Sequence, residues 1–116
     1  MNDNRARSVA FVDIRLKRSF EELKSGKFED KQLADEIKEA MDRLKENPLC
    51  GVKIESHLWP KEYISRYGIN NLRKYDLRSG WRLMYTLFGD KVEIVAVLLE
   101  WLDHKGYERR FHYKSR

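Results

Sequence analysis

The stretch NLRKYDLRSGWRLMYTLFGDKVEIVAVLLEW, residues 71–101, decides the fold. It divides into three runs rich in aromatic, branched and alternating residues, Asn71 to Arg78, Trp81 to Phe88 and Val92 to Trp101. Only Ser79-Gly80 and Gly89-Asp90-Lys91 separate them, connections short enough for tight hairpins, so the stretch predicts an antiparallel meander. The last run is almost continuously apolar through Val95, Ala96, Val97, Leu98 and Leu99. Such a strand has no face suited to water and is expected at the centre of the sheet, covered on both sides.

Upstream, Val9 to Ile14 is short, apolar and partly β-branched, and reads as a further strand. The spacing of Leu16, Phe20 and Leu23 then turns helical. Gly26 interrupts, and from Asp30 to about Asn47 a second helix carries Leu33, Ile37, Met41 and Leu44 on one stripe, stopped by Asn47-Pro48. Two amphipathic helices joined by a short connection predict a helical hairpin that needs a sheet to cover its apolar stripes. Between Pro48 and Asn70 the signals are a short strand at Val52 to Ile54 and a helical turn opened by Pro60, carrying Tyr63, Ile64 and Tyr67 before Gly68. The expected fold is α+β: an N-terminal strand and α-helical hairpin on a mainly antiparallel sheet with a C-terminal three-strand meander. At 116 residues the whole chain, 1–116, is expected to be one domain.

Lys and Arg number 24 against 19 Asp and Glu, a formal net charge of +5 that favours polyanionic partners. Cys50 is the single cysteine, which excludes an internal disulfide and a zinc site of several thiolates, and suits a reducing cytoplasm. The polar start and the breaks at Asp13 and Arg15 argue against a signal peptide or membrane span. His57, His104 and His112 lack paired metal-ligand spacing, and no metal or other cofactor is expected.

Strand alternation places Leu72, Lys74, Asp76 and Arg78 on one face, and sets Arg82, Met84 and Thr86 opposite the core-facing Trp81, Leu83, Tyr85 and Leu87. Arg82 can then approach Lys74 or Arg78 across the hairpin, a basic patch on a sheet. After the last strand, His104, Lys105, Tyr107, Arg109, Arg110, Phe111 and Tyr113 mix cations with aromatics, the pairing that holds phosphates and stacks bases. Taken alone, Arg82 beside Asp76 also reads as an ordinary cross-strand ion pair, His104 beside Asp103 as a surface histidine, and the residues after Gly106 as a solvated tail, though Phe111 and Tyr113 among its charges favour docking.

The run Leu77-Arg78-Ser79-Gly80-Trp81-Arg82-Leu83-Met84-Tyr85, followed by an apolar strand and His104-Lys105, resembles the RelE/ParE superfamily of toxins from type II toxin–antitoxin systems. It is most similar to RelE-type mRNA interferases, and residues 51–71 resemble an archaeal-type branch. The resemblance implies a ribosome-dependent mRNA endonuclease that inhibits translation, with mRNA and the ribosome as targets. It also implies a cognate antitoxin and a toxin–antitoxin hetero-oligomer. Arg82 matches the arginine that contacts the scissile phosphate, Lys74 a lysine of the preceding strand, and His104-Lys105 the basic or histidine position after the last strand. Tyr107 or Tyr113 matches the C-terminal aromatic. Asp76 departs from the RelE pattern, where a second lysine is expected.

Metal-independent attack of a 2′-OH needs proton removal, stabilisation of the phosphorane and protonation of the leaving oxygen. The candidate catalytic residues are Arg82, His104, Lys74 and Tyr107, with Asp76 or Glu62 as carboxylate partners of the histidine; Arg78, Lys105, Arg109 and Arg110 are candidate RNA contacts. Two other functions fit the fold: a non-catalytic ParE-like topoisomerase inhibitor, and an inactive binding or regulatory protein, which Asp76 would suit.

Overall fold

The computed structural model describes residues 4–112. Strand β1 spans Ala6–Phe11, helix α1 Ile14–Lys24, helix α2 Phe28–Glu46 and strand β2 Val52–Lys53. After a 3-10 turn at Ser56–Leu58 come helix α3 (Lys61–Tyr67), strands β3 (Arg73–Asp76), β4 (Arg82–Gly89) and β5 (Glu93–Leu102), and helix α4 (His104–Phe111). The five strands form one sheet in the order β1-β5-β4-β3-β2, antiparallel except for the parallel β1–β5 pair. The α+β architecture and meander match the sequence reading, and β5 lies inside the sheet as its apolar run predicts.

Differences at element ends have local causes. The first strand stops at Phe11 because Asp13 caps α1, its carboxylate accepting from Leu16 N at 2.9 Å, so Ile14 opens a helix instead of closing a strand. The first meander strand ends at Asp76 because Leu77 to Gly80 form the turn, with Gly80 at φ +96°.

The sheet separates two cores. On one face α1 and α2 bury Phe20, Leu33, Ile37, Ala40 and Leu44 against Leu83, Tyr85, Ala96 and Leu98. On the other, Tyr63 of α3 and Tyr107 and Phe111 of α4 cover Leu72, Met84 and Leu99. Two expectations are corrected here. Residues 107–111 are no solvated tail: Asp103 accepts from Gly106 N at 2.8 Å and caps a helix whose Tyr107 and Phe111, one turn apart, enter the second core. Met84 and Thr86 do not present an open sheet surface, because this layer buries them fully.

The β4–β5 register slips between Met84↔Glu100 and Tyr85↔Leu98, leaving Leu99 as an extra residue. Leu99 packs into the second core and Glu100 bonds Tyr63 and Arg110, so this bulge turns two successive side chains toward α3 and α4. No described helix is long and apolar enough to cross a membrane.

Candidate functional site

The second face carries two arginines over tyrosine rings, in different states. Arg82, the first residue of β4, lies opposite Asp76 on β3 and opposite Leu102 on β5. Its guanidinium carbon is 4.5 Å from the centre of the Tyr107 ring, a cation–π distance, and its Nε is 3.9 Å from Asp76 Oδ1. Lys74, two residues before Asp76 on β3, reaches Asp76 Oδ1 at 3.3 Å and stands 6.0 Å from the same ring. Arg82, Lys74 and Tyr107 therefore converge as the sequence suggests, with Asp76 between the two cations. Arg82 Nη1 is buried and, among the described residues, has no hydrogen-bond partner. A buried donor without a partner is costly, and because Nη1 itself is covered, an incoming phosphate would meet the exposed part of the guanidinium.

Arg110 is the opposite case. Its Nε and Nη2 donate to the two oxygens of Glu100 at 2.7 and 3.1 Å, and Nη1 donates to Glu62 at 2.6 Å. Its guanidinium also lies 5.9 Å from the Tyr63 ring, while the Tyr63 hydroxyl donates to Glu100. The Glu100 hydrogen bond, then that of Glu62, raises the Arg110 pKa further above its usual value, and the Arg110 bond holds Glu62 below the carboxylate range. Burial, followed by the Glu100 charge, pushes the Tyr63 phenol far up. This network locks α3, β5 and α4 together and commits Nε, Nη1 and Nη2 of Arg110, the residue read from sequence as an RNA contact, to Glu100 and Glu62.

Arg78 is also withdrawn from the patch. It leaves the sheet in the β3–β4 turn and grips Glu39 of α2 with Nη2 and Nε at 2.9 and 3.3 Å. Beside it, Ser79 donates through N and Oγ, at 3.0 and 2.8 Å, to the buried Glu36. The turn is thus strapped to the helical hairpin, and Arg78 is committed to α2 instead of to Arg82.

His104 is exposed at the start of α4, its Nε2 2.8 Å from Glu108 Oε1. Neither Asp76 nor Glu62 is its carboxylate partner: Asp76 is held by Lys74 and Arg82, Glu62 by Arg110. Lys105 and Arg109 are exposed on the same helix, and Tyr113 lies outside the described residues. Among the described residues no three His, Cys, Asp or Glu side chains gather as metal ligands. The sequence reading missed Glu100, Glu108 and Glu36. Glu108 follows His104 by one helical turn, a legible signal once α4 is recognised; the facing of Glu100 depends on a bulge that alternation does not reveal.

Comparison with protein families matches residues 14–99 to the family described as ParE toxin of type II toxin–antitoxin system, parDE, a segment running from α1 through most of β5. No curated protein and no solved structure gives a match.

Proposed function

The chain belongs to the ParE toxin family of type II toxin–antitoxin systems, and within that family we propose, from the state of Arg82, that it is an RNA endonuclease acting on ribosome-bound mRNA. A cognate antitoxin is implied by the family itself. The observation that carries the nuclease reading is the state of Arg82: stacked on Tyr107, flanked by Lys74, and paired only loosely, at 3.9 Å, with an aspartate that Lys74 shares.

In this reading a phosphodiester displaces Asp76 from Arg82 and Lys74. The planar guanidinium takes two phosphate oxygens and stays charged at any working pH, which stabilises the phosphorane as charge builds. The 2′-oxygen attacks phosphorus and the bond to the 5′-oxygen breaks, leaving a 2′,3′-cyclic phosphate. The 2′-hydroxyl proton passes to a base, and the departing oxygen takes up one proton to become the 5′-hydroxyl. His104, oriented by Glu108, is the proton carrier, its imidazole having one nitrogen to give and one to take a proton. Tyr107 orients Arg82 and offers a ring edge to the nucleotide. Lys105 and Arg109 add charge along the exposed side of α4.

A second reading, non-catalytic inhibition of a topoisomerase, is favoured by the family description and by the neutralisation of Arg78 and Arg110. Primer extension on mRNA with programmed ribosomes separates the two. We expect cuts that fall about 10²–10³-fold in Arg82→Ala, the loss typical of one preorganised charge-stabilising donor, and at least about 10²-fold in His104→Ala. Intact mRNA with folded toxin and competent ribosomes, together with inhibited DNA supercoiling, would establish the second reading instead.

A further inference from the structure

Strands β1 and β5 run parallel, from Ala6↔Glu93 to Phe11↔Leu98, so both end toward the same end of the sheet. Each then enters a helix through an aspartate cap, Asp13 for α1 and Asp103 for α4. The two helices lie on opposite faces, α1 on the larger core and α4 on the smaller. Neither has an acidic residue in its first turn, whereas α2 opens with Glu29 and Asp30 and α3 with Glu62.

Past the two caps the chain is basic instead. Arg15, Lys17 and Arg18 come after Asp13, and His104 and Lys105 after Asp103. A helix N-terminus already carries a partial positive charge, so cations placed there oppose the dipole and weaken the isolated helix. Arg15, Lys17, Arg18 and Lys105 are exposed, and their side chains make no ion pair or hydrogen bond among the described residues. Asp13 and Asp103 are engaged by helix amides, Glu108 by His104 and Glu21 by Lys24; Glu22, one turn beyond Arg18, is exposed and is not paired with it. Arg82, with its unpartnered Nη1, faces Leu102 at this same end of the sheet. Beyond the Phe11 partner, β5 continues from Leu98 to Leu102, roughly 13 Å at about 3.3 Å per residue. The cations therefore lie on both faces of one sheet end, set apart along it.

We propose that this end of the sheet, from Arg15, Lys17 and Arg18 on one face round to Lys105 on the other, is a second contact surface for an RNA phosphodiester backbone. It deepens the nuclease reading, which supplies Arg82 as the centre of the path. Exposed, unsaturated cations with no fixed geometry suit a regularly charged chain bound without regard to base, the kind of contact that positions rather than specifies. The backbone belongs either to the strand being cut or to ribosomal RNA.

The test is fluorescence anisotropy of a short single-stranded RNA with 2′-O-methyl sugars, which cannot be cleaved, over a range of salt concentrations. The combined variant Arg15→Ala, Lys17→Ala, Arg18→Ala is compared with a control of equal charge change, Lys31→Ala, Lys45→Ala, Lys91→Ala. Each single-strand phosphate contact contributes about 0.7 to the slope of log affinity against log salt. The α1 variant should lose about 2 from that slope and bind at least tenfold more weakly at low salt, while the control changes little. It should also melt no lower than the parent, because the cations oppose the helix dipole; a lower melting temperature would indicate a structural role and overturn the proposal. Loss with the oligonucleotide assigns the contact to the cut strand; loss confined to small ribosomal subunits assigns it to ribosomal RNA. Unchanged binding in both, or equal loss in the control, overturns the proposal, as does selective loss of a polyglutamate ligand. If the slope falls as expected but the parent leaves ribosome-bound mRNA intact, the surface stands and the nuclease reading fails.

Discussion

The two faces of the sheet solve different problems with similar material. Under α1 and α2 the core is apolar, with Ile37, Ala40 and Leu44 wholly buried, and its polar contacts are at the rim, where Glu36 and Glu39 hold the β3–β4 turn. Under α3 and α4 the core is smaller, and it is bordered by two arginines, each over a tyrosine ring. Arg110 has two carboxylates; Arg82 shares one, at 3.9 Å, with Lys74. A cation whose donors are saturated by its own fold acts as a fastening. One with a single, distant, shared carboxylate and a side chain still 24% exposed holds binding capacity in reserve, so the second face divides its polar groups between stability and function.

The largest stability effect should come from the apolar face. Ile37→Ala removes a side chain with no exposure from the middle of α2, and large-to-small changes at such sites cost about 2–5 kcal/mol. Urea denaturation measures it. Arg110→Ala should follow at about 2–3 kcal/mol, because Glu100, left with only the Tyr63 hydroxyl, would lose its charged partner in a half-buried position. The arginine side chain is 34% exposed, which keeps the loss below that of a fully dry pair. If Arg110→Ala were neutral, the network would be surface decoration and the contrast between the two arginines would break.

Glu36 gives a smaller effect with a pH signature. Its burial would raise the carboxyl, but the two hydrogen bonds from Ser79, then Gln32 and the Arg78 charge, outweigh this and hold it below the ordinary 4.5. A group with a depressed folded pKa contributes stability that is present above its unfolded pKa and is lost as pH falls through the folded value. Glu36→Gln should therefore cost about 1–2 kcal/mol at neutral pH and show a shallower decline below pH 4.5 than the parent. Parallel acid-denaturation curves would show that the carboxylate does not anchor the turn.

The apolar face was legible in the sequence because its signals are periodic. Leu33, Ile37 and Leu44 at helical steps, and the unbroken run from Val95 to Leu99, each admit one burial pattern. The meander was equally clear because its turns are short and contain glycine. The second face was less legible for two physical reasons. Helix α4 is short and its charges mask the Tyr107–Phe111 stripe, although Asp103 gave it a cap. The bulge at Leu99 breaks the two-residue alternation, so nothing in the pattern shows Glu100 turning toward Arg110. The convergence of Lys74, Arg82 and Tyr107 could be anticipated from strand spacing and family resemblance together. The diversion of Arg78 to Glu39 could not, because it depends on how the turn docks on α2.

The smallest stability effect is expected where the functional effect is greatest. Arg82→Ala removes an ion pair at 3.9 Å and a cation–π contact, each worth about 0–1 kcal/mol at this exposure, and it also removes a buried donor that lacks a partner. These terms oppose each other, so the variant should unfold within about 1 kcal/mol of the parent. Arg82→Lys keeps the charge but loses the planar fork, and should restore RNA binding more than cleavage. Measured beside Arg110→Ala, the pair gives a crossed result: one variant stable and inactive, the other destabilised through a network that shares no ion pair with the Asp76 cluster. A loss above about 2 kcal/mol for Arg82→Ala would place this arginine with Arg110 as a fastening of the fold. The second face would then have a structural role only, and the search for the toxin's active surface would move away from Arg82.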